Sequence, residues 1–229
     1  MRRTIVVAEM VTRDLVRRRA AIALLALVPL AFYLAKHDEK VGQSIRFASL
    51  GLAFAVSALG LFSGNAAKGS EPRLRLSGYR PSQLYTGRLL ALVGIGLALA
   101  AVYCGIILLD QDLRRPGAIV LMFAVTVLVA APLGLLIGAV VPRDLEGALL
   151  LISMIGLQFL MNPEKSSARL LPLWSNRELG TYAVDLTDAG YLQRGLVHGA
   201  VCTVLLVGIT AALTTIRLRR RKHMLSSAA

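Results

Sequence analysis

The sequence has fewer charged residues than is usual for a soluble protein. Only 17% of its 229 residues are charged, whereas 56% are hydrophobic, which argues against an ordinary soluble globular domain. It has two cysteines, Cys104 and Cys202, both inside apolar runs, and we interpret each as a small buried hydrophobe rather than half of a disulfide. The first apolar run begins only at Ala20, without a small-residue cleavage pattern, so no cleavable signal peptide is expected.

Motifs for catalysis and metal binding are also missing. The sequence contains no H-E-x-x-H, no cysteine pair at metal-ligand spacing and no G-x-S-x-G, so it predicts no metalloprotease, zinc site or serine hydrolase. The stretch 64–70, GNAAKGS, has the wrong spacing and order for a phosphate loop. His198 is the one ionisable residue within the apolar runs, and we interpret it as a hydrogen-bonded core histidine rather than a ligand. We therefore predict no catalytic residue, no metal site and no cofactor bound by this chain.

What the sequence does contain is long apolar runs. Each is compatible with the roughly 20 residues that a membrane-spanning helix needs. The six runs are 20–35, 47–67, 89–109, 116–142, 147–163 and 195–216. The first and fifth are short and would depend on snorkelling by flanking Arg19, Lys36 and Arg143. The predicted fold class is all-α: a polytopic membrane protein with six transmembrane helices, forming a single transmembrane domain over 1–229.

The basic residues lie at the ends of these runs rather than on a soluble face, so the net charge of +13 does not indicate nucleic-acid binding. The N-terminal segment, residues 66–88, residues 141–146 and the C-terminal tail hold 17 of the 26 Lys and Arg but 5 of the 13 acids. Of the net charge, +12 therefore falls on one side of the predicted membrane. By the positive-inside rule, both termini are predicted to be cytoplasmic.

Residues 4–19 are predicted to form an amphipathic helix ahead of the first span. Val7 and Leu15 fall near one face, whereas Glu9 and Arg13 lie four residues apart on another. We expect this helix to lie in the membrane interface.

The longest polar interruption on the basic side is the segment 66–88. Ser70 and Pro72 favour the start of a short helix, Gly78 ends it, and Pro81 opens the helix that enters the third span. The segment therefore predicts a helix, a turn and a second helix at the cytoplasmic surface. The alternative is a basic loop held only by anionic lipid.

The segment 162–194 forms the longest connection on the opposite side. Its stretch LLPLW at 170–174 is expected to dip into the outer membrane interface, with an ordinary surface loop as the alternative. We expect residues 168–174 to insert shallowly into the outer leaflet.

Small-residue pairs at spacing four occur in three of the spans. We interpret them as positions of close helix packing, with dimerisation as the alternative. The pairs are Gly60 and Gly64, Gly134 and Gly138, and Gly195 and Gly199.

This layout resembles the membrane permease of type-2 ATP-binding-cassette (ABC) exporters over the whole chain. The sharpest local match is 71–90, where the residues from Gly87 to Leu90 resemble the family's Gly-Lys-Leu-Leu entry into the third span. The match departs at 68–71, KGSE, where the family often has a denser Glu-Arg-Glu opening. In that family this segment is the coupling helix, which docks on a separate ATPase subunit.

The resemblance implies two sets of functional residues. The ATPase contacts would be Arg73, Leu76, Ser77, Tyr79, Arg80, Pro81 and Leu84. Spans two and five would help to line the substrate path, with ordinary interhelical packing as the alternative for each residue. The candidates there are Ser57, Ser63, Asn65, Ser153, Met154 and Gln158.

The resemblance also implies the partners and the activity. The chain would be a non-enzymatic, multi-pass permease subunit in the plasma (inner) membrane. It would pair with a second permease, identical or different, and with ABC ATP-binding subunits that bind ATP and Mg²⁺. The complex would move a hydrophobic or amphipathic substrate outward, such as a drug, antibiotic, lipid or peptide.

The rival hypothesis is a stand-alone membrane protein, such as a small channel, a scaffold or an unusual integral-membrane enzyme. It differs in needing no second polypeptide. A nucleic-acid partner is not expected, because the sequence offers no basic soluble module.

Overall fold

A computed structural model describes residues 2–37, 41–161, 166–185 and 187–224. Within these ranges nearly every residue is helical, and no strand occurs among them. The predicted all-α class is confirmed.

The described residues form the following elements in chain order. The helices are α1 (Arg2–Arg17), α2 (Arg19–Leu34), α3 (Val41–Ala67), α4 (Glu71–Leu76), α5 (Pro81–Asp110), α6 (Pro116–Val140), α7 (Asp144–Leu160), α8 (Trp174–Val184) and α9 (Ala189–Met224). A short 3₁₀ helix, Ser166–Leu170, lies between α7 and α8.

Four of these helices are long and apolar enough to cross a membrane. They are Gly42–Ala67, Pro81–Asp110, Pro116–Val140 and Ala189–Leu218; they contain predicted spans two, three and six and all but the last two residues of span four. Helices α2 and α7, which contain most of predicted spans one and five, have 16 and 17 residues. At 1.5 Å per residue they are about 24 and 26 Å long, which is shorter than the roughly 30 Å of a hydrocarbon core.

The closest packing is between α3 and α6, and glycines make it possible. A Cβ added at Gly134 would lie 2.0 Å from the Ser57 carbonyl oxygen, and one at Gly138 would lie 2.9 Å from the Leu61 carbonyl oxygen. Gly60 faces the backbone of the same α6 turn. The glycines of these two spans therefore serve close packing within one chain, as predicted.

Helix α1 lies along the start of α5. Val7 and Leu15 are buried, and a Cβ added at Gly87 would lie 2.7 Å from the Val7 Cβ. On the opposite face Arg13 donates a hydrogen bond to Glu9 at 2.5 Å, and both side chains are exposed. The predicted amphipathic helix is confirmed, and its apolar stripe packs on the protein.

Helix α8 corrects the expectation for the segment 162–194. Leu173 and Trp174 are buried within the chain, and the Trp174 ring contacts the His198 ring edge-on at 5.0 Å between centroids. Shallow insertion is therefore wrong for these two residues, because α8 and α9 supply their burial; Leu170 does project outward, 85% exposed. Residues 162–165 and 186 of the predicted segment lie outside the described residues.

His198 is hydrogen-bonded as predicted, but it is half-buried rather than part of the core. Its Nε2 lies 2.9 Å from the carbonyl oxygen of Arg169, within hydrogen-bond distance. The histidine thus ties α9 to the 3₁₀ helix.

Candidate docking site and substrate path

The predicted helix, turn and helix of the segment 66–88 are present. Pro72 lies in the first turn of α4, Gly78 has a φ of +83°, and Pro81 is the first residue of α5. The positive φ suits glycine because the residue has no Cβ to clash there. One detail differs from expectation: Ser70 donates to the Ala67 carbonyl oxygen at 3.2 Å instead of capping α4.

The exposed face of this segment carries most of the predicted ATPase contacts. Leu76 is 80% exposed, so its side chain is not covered by its own chain. Arg73, Ser77 and Arg80 are also exposed, whereas Tyr79 and Pro81 are half-buried. The segment therefore presents one apolar side chain surrounded by arginines.

Leu84 is the exception in the predicted contact set. Its side chain is fully buried and packs with Val7 of α1 and Leu218 of α9. Leu84 therefore holds the segment to the bundle, and we remove it from the contact set. Helical spacing gave a signal for this, since Leu84, Gly87 and Ala91 are all buried on one face of α5.

A buried ion cluster fixes α4 to the bundle. Glu71, only 1% exposed, accepts a hydrogen bond from Arg88 Nη1 of α5 at 3.1 Å. Its second carboxylate oxygen accepts from Arg217 Nη2 of α9. The sequence reading missed this cluster, although Glu71 is the one acid among five basic residues in 66–88.

The ion cluster stabilises α4, which is not stable as an isolated helix. A six-residue helix is too short to be stable alone in water, because helix nucleation is costly. Arg88 is itself buried, so both charges of that pair need each other to offset their loss of hydration. The result is a short exposed helix with a rigid attachment to α5 and α9.

The comparison with known families falls on this same region. Residues 67–164, from the last residue of α3 to four residues past the last residue of α7, match the model of a family described as "ABC-2 family transporter protein". This stretch is similar to that family's membrane proteins. The resemblance to a type-2 ABC permease subunit, inferred from the sequence, is thereby confirmed. A comparison with curated proteins gives no match.

Asn65, a predicted substrate-path residue, belongs to a polar bridge between α3 and α7. Its Nδ2 donates to Asp144 at 2.6 Å, and Lys68 Nζ donates to its Oδ1 at 2.6 Å and to the Val141 carbonyl oxygen at 3.2 Å. Burial, with repulsion from Arg217, lowers the pKa of the Lys68 ammonium below its ordinary value. The amide of Asn65 is therefore occupied by contacts within the chain.

The other predicted path residues on α3 also lie apart from one another. Ser57 is buried between helices and donates to the Ala130 carbonyl oxygen of α6 at 2.9 Å, which is a packing role. Ser63 is half-buried and, with Asn65, lines a cavity of about 450 Å³ beside α1 and α2.

On α7 the three candidates differ in environment. Ser153 is exposed and donates to the Leu149 carbonyl oxygen of its own helix at 2.9 Å, and Met154 packs against the core. Gln158 is half-buried and lines a different cavity, next to the start of α8. The six predicted residues therefore do not converge on one cavity within a single chain.

Proposed function

We propose that the chain is the transmembrane permease subunit of an ATP-driven ABC exporter, and that the exposed face of α4 and its turn docks on a separate ATPase subunit. The observation that carries this proposal is the contrast at α4, whose Leu76 is exposed while Glu71 is buried in an ion cluster. A tether needs no rigid attachment to two membrane helices. An element that transmits force from a partner does.

Charge and shape both favour a protein partner. An exposed leucine beside arginines matches the usual anatomy of an interface anchor, an apolar side chain with polar surroundings. Arg80 can pair with a partner carboxylate through its planar guanidinium. We propose Arg73, Leu76, Ser77 and Arg80 as the contacts, with Tyr79 and Pro81 at the edge.

The same proposal includes six spans with both termini in the cytoplasm. The N-terminal helix, α4 and the C-terminal part of α9 meet at one end of the bundle, which we call the α4 end, because Arg3 donates to the Gly78 carbonyl oxygen at 2.6 Å and Arg217 to Glu71. Helices α2 and α7 are short, but flanking Arg19 and Lys36 can extend the reach of α2 by snorkelling. If both cross, the basic α4 end faces the cytoplasm.

The assembled exporter needs further subunits. ATP and Mg²⁺ would be bound by the ATPase, since this chain has no nucleotide-binding motif. Helices α5 and α9 expose many apolar side chains, which suits lipid contact and a second permease in the plasma (inner) membrane. Outward transport of a hydrophobic or amphipathic substrate completes the proposal.

The test is the substitution Leu76→Asp in the permease co-expressed with the ATPase of the adjoining reading frame. We expect docking to weaken by roughly thirtyfold, equivalent to about 2 kcal/mol, and substrate-stimulated ATP hydrolysis in nanodiscs to be lost. The permease should remain folded, because a change at an exposed surface residue usually costs little stability.

Leu170→Asp is the matched control, because Leu170 is equally exposed but lies in the 3₁₀ helix beside α8. It should leave docking and hydrolysis unchanged. Wild-type docking and hydrolysis in Leu76→Asp would refute the proposed contact surface.

A further inference from the structure

A cavity of about 640 Å³ lies at the opposite end of the bundle, which we call the α8 end. It is bordered by the first half of α3, the last residues of α7 and the start of α8. Its volume falls in the range of small-molecule sites, roughly 300–1,000 Å³. Of the predicted substrate-path residues, Gln158 lies in its wall.

The polar part of the wall has more hydrogen-bond donors than acceptors. Arg46 Nε, Gln158 Nε2 and Asn176 Nδ2 are buried and have no hydrogen-bond partner. Arg46 can only donate, since a guanidinium has no acceptor. Its Nη2 is already held by Asp185 at 2.6 Å and Thr181 at 3.2 Å, which fixes the guanidinium in place.

The charged side chains of the lining also favour an anionic ligand. Lys36 and Arg177 line the cavity together with Arg46, whose Nη2 pairs with Asp185 outside the lining, and no Asp or Glu is among the described residues that line it. Buried polar groups normally find partners, because an unmade hydrogen bond costs about 1–3 kcal/mol. The wall therefore favours a ligand that brings acceptor oxygens and negative charge.

The remaining wall is apolar. Phe47 and Leu50 of α3, Leu173 before α8, and Met161 after α7 line the same space. Methionine adapts to ligands of different shape because its side chain is unbranched and flexible. A purely ionic ligand would leave this part of the wall unused.

We propose that the cavity at the α8 end binds an amphipathic molecule that carries an anionic oxygen group, such as a carboxylate, on an apolar body. The oxygens accept hydrogen bonds from Arg46 and Gln158, and the apolar body contacts Phe47, Leu50 and Met161. That such a molecule is the transported substrate rests on the proposed exporter function; the binding site itself does not.

The test uses the purified permease alone in detergent, without the ATPase. A dansylated fatty acid and a dansylated fatty amine of equal chain length are the probes. Trp174 is the one tryptophan of the chain and adjoins Leu173 of the cavity wall, so energy transfer from Trp174 to dansyl reports binding. Displacement by unlabelled fatty acid shows that binding is saturable.

We expect the fatty acid to bind about tenfold more tightly than the amine, because hydrogen bonds to an ionised group are the stronger ones. Gln158→Leu should weaken fatty-acid binding about five- to tenfold by removing a donor, and Gln158→Glu should weaken it further by charge repulsion. Gln193→Leu on α9 is the matched control, an exposed glutamine outside the cavity wall, and should bind like the wild type.

Equal binding of acid and amine would overturn the proposal, as would unchanged fatty-acid binding in both Gln158 variants. If Gln158→Leu does not elute as folded protein, Gln158→Glu, which keeps the side-chain shape, carries the test. The proposed function is tested separately: Leu76→Asp should lose coupling yet keep fatty-acid binding. Probe binding by the wild-type permease, without any stimulation of ATP hydrolysis by its ATPase, would refute the exporter proposal and leave this site standing.

Discussion

Helices α4 and α8 are the two short α-helices of the described chain, and they differ in how far their side chains are exposed. Each carries one buried glutamate that an arginine of α9 binds: Glu71 pairs with Arg217, and Glu178 pairs with Arg194 at 2.8 Å. Yet α4 ends in an exposed Leu76, whereas α8 buries Trp174 and most of its other side chains against the bundle.

The ion pairs of the two glutamates differ in the burial of their arginine partners. Glu71 is held by two arginines, of which Arg88 is buried and Arg217 is 29% exposed, whereas the one partner of Glu178 in the described structure, Arg194, is 48% exposed. The glutamate of α4 is thus paired with a more deeply buried arginine than the glutamate of α8, although the outer face of α4 is the more exposed. This difference fits the docking role proposed for α4, whereas α8 completes the bundle.

The largest contrast should be in accessibility from the two sides of the membrane. In a background with Cys104 and Cys202 replaced by alanine, Ser167→Cys beside α8 should react in intact cells with a membrane-impermeant thiol reagent. Arg80→Cys should react only after permeabilisation. Both side chains are exposed, so burial does not explain a difference. Reaction of Arg80→Cys in intact cells would reverse the proposed topology.

The next contrast is in stability. Glu71→Gln should lower the free energy of unfolding by about 3–5 kcal/mol, because it leaves the buried Arg88 and the partly buried Arg217 without their counter-charge. The measurement is an unfolding titration in mixed micelles. Glu146→Gln is the matched control, since its pair with Arg143 is exposed, and it should cost under about 1 kcal/mol. Equal costs would mean that the cluster does not hold α4.

Binding of the ATPase should be weakened by a charge reversal at the α4 end but not by one at the α8 end. Arg80→Glu should weaken binding of the ATPase by about 2 kcal/mol, or roughly thirtyfold, while the permease unfolds like the wild type. Arg114→Glu makes the same exchange at an exposed position in the loop between α5 and α6, at the α8 end, and should bind the ATPase normally. Affinity can be measured by titrating labelled ATPase onto permease in nanodiscs. A similar loss in both variants would indicate non-specific attraction rather than a docking site.

The smallest effect is expected at α8 itself. Glu178→Gln should cost about 1 kcal/mol, because Arg194 is half-exposed and water can replace the lost carboxylate. The same mixed-micelle titration measures it beside Glu71→Gln. A cost at Glu178 as large as that at Glu71 would remove the distinction between the two helices.

The parts of the fold that could be predicted from the sequence are those with a local signal. Apolar runs located the four long spans, and Gly78 and Pro81 located the turn and the start of α5, because each residue restricts its own backbone. The pairing of Glu71 with Arg217 joins residues 146 positions apart, and no periodicity reports such a contact.

The candidate site divides in the same way. Exposure of Leu76 and Arg80 follows from their position on either side of the turn at Gly78, where α4 ends and α5 is about to begin. The separation of the substrate-path candidates could not be read from a chain order that places Ser57, Ser63 and Asn65 within three turns of one helix. Their depths and partners depend on which helix lies opposite each side chain, which is a tertiary property.

Helix α9 gives the two ends of the molecule a mechanical connection. Arg194 and Arg217 lie on one unbroken helix, 23 residues apart, which corresponds to about 34 Å at 1.5 Å per residue. Every turn of that helix is closed by backbone hydrogen bonds, so it resists stretching and compression. A displacement of α4 must therefore either separate Glu71 from Arg88 and Arg217 or carry α5 and α9 with it. A shift of α9 reaches Glu178 directly, on the helix that borders the cavity at the α8 end, without first disturbing the tight glycine contact between α3 and α6.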